Sequence, residues 1–251
     1  MAIVFRVLIV CMLSISADVA AESFFDFSAS TPEGSWAVRE ITMTDHKGRQ
    51  SVIVMKQKFL GSEQREGQTY YWLETEMDNY KLKKGKRKRD GEHMIMKVLV
   101  SKEAMNSDPA NVVNNLQGFS QEIIMQSGDD QPVNMSGGGL MVSAALKAFD
   151  IKIKYQFTVE GEETIDTAIG QFKTKRVSGT GSSSVKILFK KIETKSQSLM
   201  WISDEVPFGI VRGEATDTIN GKEEHSKTVL TEYANSGAVT AINGEVVEMP
   251  F

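Results

Sequence analysis

The chain reads as a mainly β protein, a curved antiparallel sheet or half-barrel with a central helical insert acting as lid or plug. Three observations predict it. Runs rich in Val, Ile, Thr, Tyr and Trp recur along most of the length, separated by short turn-forming stretches. Residues 151–160 alternate strictly: Ile151, Ile153, Tyr155, Phe157 and Val159 share one face, and Lys152, Lys154, Gln156, Thr158 and Glu160 share the other. Such a strand is greasy on one side and wet on the other. Between two blocks of strands, residues 102–150 shift towards a helical spacing of apolar residues.

The first element is an address. A single charge at Arg6, an apolar run from Val7 to Leu13 and on through Ile15, and the small residues Val19-Ala20-Ala21 make residues 1–21 a signal peptide cleaved before Glu22. Its apolar core is shorter than the roughly 20 residues a membrane helix needs, and no later stretch comes close. The expectation is therefore an exported protein, periplasmic or secreted, without an integral membrane segment, whose residues 22–251 form a single β-rich domain. The one cysteine, Cys11, lies inside the signal, so no disulfide braces that domain and its stability must come from a packed core. Arg6 and Asp18 cancel, so the formal charge of −4 survives cleavage. Mild acidity argues against a nucleic-acid partner, whose binding proteins are normally basic overall.

Strand signals then follow in order. After a disordered-looking stretch, 23–34, come segments 36–44, 51–59, 69–77 and 93–101, joined by turns that include His46-Lys47-Gly48 and residues 61–67. Short turns between consecutive strands make an antiparallel meander. Ser107-Asp108-Pro109 predicts a helix start, with Val112, Val113, Leu116, Phe119, Ile123 and Ile124 at approximate helical spacing. Gly137-Gly138-Gly139 interrupts it, and Leu140, Met141, Ala144, Ala145 and Ala148 predict a second short helix. Further strands fit 151–160, 163–169, 172–179, 185–194, 199–203, 210–217 and 226–233. A sheet of roughly ten strands must curl to hide its apolar face, and the helical insert is the expected cover.

Two stretches, Gly170-Gln171-Phe172-Lys173-Thr174 and residues 200–211 with Trp201, Ser203 and Val206-Pro207-Phe208-Gly209, carry a resemblance. They are similar to the C-terminal half of uncharacterised envelope proteins related to the LolA-like periplasmic half-barrels. That resemblance implies a curved sheet holding the acyl chains of lipids or lipoproteins under a helical lid. It implies no particular binding residue, because such faces are defined by position.

The residues themselves offer little chemistry. His46, His93 and His225 have no histidine or cysteine at a metal-ligand spacing. No Gly-x-Ser-x-Gly elbow, phosphate loop or dinucleotide fingerprint is present, and Ser143, Asp129 and Asp130 stand in no catalytic pattern. The expectation is a protein that is not an enzyme and uses no cofactor or metal. Two features remain. Lys81, Lys83, Lys84, Lys86, Arg87, Lys88 and Arg89 lie between two strands as a long hairpin tip. Lys83 to Lys84 and Lys86 to Arg89 are the candidates for an anionic membrane surface or acidic partner, each charge contributing about 1 kcal/mol at such a surface. Methionines gather at Met105, Met125, Met135 and Met141 in the insert and at Met55, Met77, Met94 and Met96 on strands. Their flexible thioethers repack around ligands of differing shape. The hydrophobic-ligand candidates are Tyr155, Phe157, Trp72, Trp201, Met125, Leu140 and Met141.

The leading expectation is thus non-catalytic carriage of a lipid or lipoprotein acyl chain. Burial at about 0.8 kcal/mol per methylene would hold such a chain without any polar motif. The alternative is an envelope scaffold or adhesion module docking through the basic hairpin. A third reading, an outer-membrane barrel ending at Phe251, is disfavoured by Pro250 and by the lysine-rich strands.

Overall fold

The structure is a computed structural model that describes residues 27–105, 120–135, 152–187 and 190–248. Its amino-terminal block comprises β1 (Trp36–Thr44), β2 (Gln50–Arg65), β3 (Gln68–Lys83), β4 (Lys86–Arg89), β5 (Met94–Ser101), β6 (Ser120–Ser127) and β7 (Val133–Asn134). The carboxy-terminal block comprises β8 (Lys152–Thr167), β9 (Gly170–Ile187), β10 (Lys190–Ile202), β11 (Ile210–Ile219), β12 (Lys222–Ala234) and β13 (Val247–Glu248). Two single helical turns accompany the first block, α1 (Phe27–Ser30) before β1 and α2 (Lys102–Met105) directly after β5.

All thirteen strands belong to one sheet, in the order β13-β7-β6-β5-β3-β2-β1-β12-β11-β10-β9-β8, with β4 attached to the end of β3. Apart from β13, which pairs in parallel with β7, the blocks are antiparallel meanders that meet at a seam where β1 bonds to β2 on one side and β12 on the other. The end strands β13 and β8 are not paired to each other, so the described strands form an open sheet rather than a closed barrel. Register shifts at Val38/Arg39, Phe59/Gly61, Leu99/Val100, Val159/Gly161 and Trp201/Ile202 mark bulges, which bend and twist it.

Turn chemistry makes the strands longer than their apolar patterns suggest. Glu66-Gly67, Lys84-Gly85 and Asn220-Gly221 each have positive φ at both residues, the geometry of two-residue hairpins whose twist matches the strands. Pairing therefore runs up to the turn. The predicted segment 69–77 extends to Lys83, and the supposed loop of lysines and arginines is itself strand, the end of β3 paired with β4. Segments 151–160 and 163–169 fuse into β8 through the bulge at Gly161, whereas the predicted strand 185–194 is divided between β9 and β10.

The helical insert needs correction. Residues 120–127 are strand β6, paired with β5, so Ile123 and Ile124 are not helical. Adjacent β-branched residues are stiff at χ1 and fit a pleated surface better than a helix. Within the described residues only the single turn α2 remains of the insert; residues 106–119 and 136–150, with Leu140 and Met141, lie outside them, as does the signal peptide. Nor is all of 23–34 irregular, because Phe27 in α1 is buried in the main core.

That core joins α1, the sheet and the turn after β10. The rings of Phe27, Phe59, Tyr71 and Phe208 lie 5.2 to 5.8 Å apart, mostly edge to face. Phe208 has φ +61°, unusual for a bulky residue, and is held there by packing and by its backbone N–H donating to Thr31 Oγ1 at 3.2 Å. Arg39 fixes the same turn to the seam. It is 1% exposed; its Nε donates to the Ile210 carbonyl at 2.7 Å, Nη1 to Gln57 Oε1 at 2.8 Å and Nη2 to the Pro207 carbonyl at 2.9 Å. Burial lowers its pKa to about 9, which leaves it charged at neutral pH. Arg39→Ala removes three charge-assisted hydrogen bonds, each worth about 1.5–3 kcal/mol, so a loss of about 3 kcal/mol or more is expected in urea unfolding. Arg39→Lys should rescue little, because an ammonium cannot reproduce the planar fork.

Candidate functional site

Side chains alternate across a strand, so register decides which residues share a face. Starting from β1, the positions Ala37, Arg39, Ile41 and Met43 project to one side. The direct partners of these residues carry the same face across the first block. One row runs Arg39–Met55–Met77–Met94, and the next runs Ala37–Gln57–Thr75–Met96–Met125. Met43, Met55, Met77, Met94, Met96 and Met125 thus converge on one face from β1, β2, β3, β5 and β6. Ile41, Ile53, Met55 and Met77 are buried there, and Met43, Met94 and Met96 pack half-buried around them.

A third row crosses the seam: Phe157–Gly179–Ser198–Ala215–Ser226–Met43–Ser51–Lys81–Lys88. It places Phe157, and Tyr155 two residues before it, on the methionine face of the second block. Their rings are stacked, with centroids 6.2 Å apart and planes 9° apart, and lie flat across glycine. A Cβ added at Gly181 would stand 2.1 Å from the Tyr155 ring, and one at Gly179 would stand 2.8 Å from Phe157. Burial raises the Tyr155 hydroxyl above its ordinary pKa, with Asp217 adding to the effect and a hydrogen bond to Ser196 opposing it.

The opposite face is charged and holds all three tryptophans. Lys56 Nζ sits 4.4 Å from the Trp36 ring centre, Lys97 Nζ 4.7 Å from Trp72, and the Arg212 guanidinium 4.6 Å from Trp201. The indole N–H of Trp72 donates to Glu63 at 2.9 Å and that of Trp201 to Glu163 at 2.7 Å. Of the ligand candidates, Tyr155, Phe157 and Met125 therefore share the methionine face, while Trp72 and Trp201 stand on the reverse side. Met43, absent from the sequence-based candidates, joins Met55, Met77, Met94 and Met96 on it.

The carboxy-terminal segment crosses this charged face as a strap. Lys58 Nζ reaches Glu74 at 2.8 Å, Glu76 at 2.6 Å and the Val239 carbonyl at 2.8 Å. Ala241 N–H and Thr240 Oγ1 donate to Glu74, and Gln126 exchanges two hydrogen bonds with Asn243. Burial alone would pull the Lys58 pKa down, but hydrogen bonds to Glu74 and Glu76 outweigh it and the net shift is upward. Breaking such a buried pair from one side costs about 3–5 kcal/mol. The strap thus belongs to the fold, and it ends in the parallel pairing of β13 with β7.

An open cleft of about 610 Å³ also lies on the charged side, over the seam, lined by Thr42, Gln50, Gln197, Glu214, His225 and Lys227 among others. It offers hydroxyls, amides and one carboxylate to a polar molecule. His225 Nδ1 is 3.1 Å from Thr216 Oγ1 there, and His93 lies between Glu76 and Asp78 at 3.3 and 3.2 Å. Among the described residues no group of three or more His, Cys, Asp or Glu could hold a metal ion, and no helix is long and apolar enough to cross a membrane.

The basic hairpin is sorted by the same alternation. Arg87 and Arg89 turn to the charged face, Arg87 pairing with Glu40 at 2.5 Å and Arg89 with Asp78. Lys81, Lys83, Lys86 and Lys88 turn to the methionine face.

No protein-family model matches the chain, and no curated protein matches it significantly. Two solved structures resemble it over most of their length. One is a candidate lipoprotein of Parabacteroides distasonis, with 17% identity, a TM-score of 0.38, and 82% of this chain and 98% of that one covered. The other is a candidate exported protein of Bacteroides fragilis with a YmcC-like fold, with 12% identity, a TM-score of 0.35, and 81% and 97% covered. Neither likeness bears on the LolA-like resemblance or on what this chain binds.

Replacing Gly181 by Ala should drive the Tyr155 ring off the sheet and cost about 1–3 kcal/mol, as overpacking does. Thr180→Ala, on the exposed reverse side, should stay within about 0.5 kcal/mol of the parent protein. Paired thermal melts with tyrosine fluorescence check both.

Proposed function

We propose that this protein binds the apolar chain of a lipid or acylated ligand against its methionine face, without catalysis, in the periplasmic compartment to which residues 1–21 direct it. The observation that carries this reading is the convergence of Met43, Met55, Met77, Met94, Met96 and Met125 on one face of an open sheet. A structural core is most rigid when built from branched residues. Thioether side chains, with three rotatable bonds, instead repack against partners of varied shape. Met43, Met94, Met96 and Met125 keep part of their surface accessible, so the patch can extend its packing to a further apolar group. Each methylene laid against it would contribute up to about 0.8 kcal/mol before ordering costs. The tryptophans, capped by cations on the reverse face, take no part.

The test is uptake of a fluorescent fatty acid by the purified protein. The parent protein should bind it, Met96→Leu should bind comparably, and Met94→Asp/Met96→Asp should weaken binding by about tenfold or more, while Gln197→Ala in the polar cleft should change nothing. Absence of uptake by the parent protein, or equal weakening by the cleft variant, would overturn the reading.

A further inference from the structure

The methionine face ends in a row of cations, and that juxtaposition speaks to the other half of the ligand. Lys81 and Lys83 continue the odd-numbered side of β3 beyond Met77 and Asn79. Across the hairpin Lys81 faces Lys88 and Lys83 faces Lys86, with Lys84 at the turn. Like charges directly opposite each other in an antiparallel pair destabilise it. A hairpin that only needed solubility could alternate signs on both sides. Here the arginines of the other side are neutralised by Glu40 and Asp78, and Lys81 by Asp90 at 2.7 Å. Among the described residues no carboxylate pairs with Lys83, Lys84, Lys86 or Lys88, all of which are exposed. Their neighbours on this face, Ser51, Asn79 and Met77, carry no charge. An extended strand rises about 3.3 Å per residue, so Met77 and Lys81 are about 13 Å apart along β3.

Resting on the reading that the methionine face takes an apolar chain, we infer that the ligand is an anionic amphiphile. Its phosphate, sulfate or carboxylate head lies among Lys83, Lys84, Lys86 and Lys88, and its tail runs back along the sheet over the half-buried Met94 and Met96. Lysine suits this task. Its ammonium is a mobile point charge on a long stem, able to follow a head whose position varies with tail length. Two requirements are then met on one surface, apolar burial for affinity and a cationic rim for choice among head groups.

The experiment compares two single-chain lipids of equal tail length, lysophosphatidylglycerol with an anionic head and lysophosphatidylcholine with a zwitterionic one, by calorimetry below their micelle concentrations. The parent protein should prefer the anionic lipid by about tenfold at low salt, and the preference should shrink as salt rises. Replacing Lys83, Lys84, Lys86 and Lys88 together by Gln should abolish the preference while leaving lysophosphatidylcholine binding unchanged. Replacing the exposed Lys173, Lys195, Lys222 and Lys227 by Gln, an equal change in net charge, should leave the preference in place. Equal binding of both lipids by the parent protein, or equal loss of preference in the two lysine variants, overturns the inference and leaves the apolar site standing. Binding of neither lipid overturns the apolar site as well.

Discussion

A buried guanidinium with no carboxylate beside it among the described residues is the contact on which the rest of this sheet leans. Arg39 stands on β1, the nine-residue strand that alone joins the two meanders, and its three hydrogen bonds reach β2, the start of β11 and the turn at Pro207. Desolvating a cation is costly, and here three acceptors at 2.7 to 2.9 Å offset that cost. The chain therefore cannot hold Arg39 unless the seam, the turn and the first meander are assembled together. None of its partners is local in sequence, the nearest, Gln57, being 18 residues away, and such long-range closure slows folding.

With the seam fixed, one register governs both faces. An alternating strand slipped by one residue would carry its whole apolar set to the other side, so each ladder inherits its sidedness from the one before it. Methionine faces methionine across β2, β3 and β5, while on the reverse side Lys58 meets Glu74 and each tryptophan lies under a cation. The strap from residue 238 onward then seals the Lys58–Glu74 pair, which frees the methionine side from any duty towards the chain terminus. Two faces of different make-up follow: one carries the Lys58 ion pairs, the strap and the cation-capped tryptophans, and the other carries Arg39 and the cluster of buried and half-buried methionines.

Much of this was legible in the residues, and the rest has identifiable reasons for being hidden. β1 is where its Val, Ile and Thr content puts it, and the alternation expected over 151–160 holds at 154–158, with Tyr155 and Phe157 half-buried and their neighbours exposed, whereas Val159 is exposed. Strand ends were read short because Lys, Arg and Glu near hairpin tips look like loop, although a two-residue turn carries pairing to its edge. Ile123 and Ile124 fitted a helical spacing as well as a strand, an ambiguity that only the partner strand β5 resolves. The methionines were visible singly, but their meeting depends on cross-strand register, which no single strand encodes. The same holds for the tryptophans: Trp72 and Trp201 looked like ligand contacts because of their size, and alternation alone could not say which face each would join. Arg39 did leave a signal, a charge in the apolar phase of Ala37, Ile41 and Met43, and such a residue is a buried anchor more often than an accident.

Methyl NMR of protein labelled at the methionine methyl groups tests most directly whether the methionine face is a binding surface. Titration with dodecanoate should move the signals of Met43, Met94, Met96 and Met125, and leave Met105, buried in the main core, where it was. Unmoved signals on that face, or shifts confined to the indole resonances of Trp72 and Trp201 on the other, would contradict it.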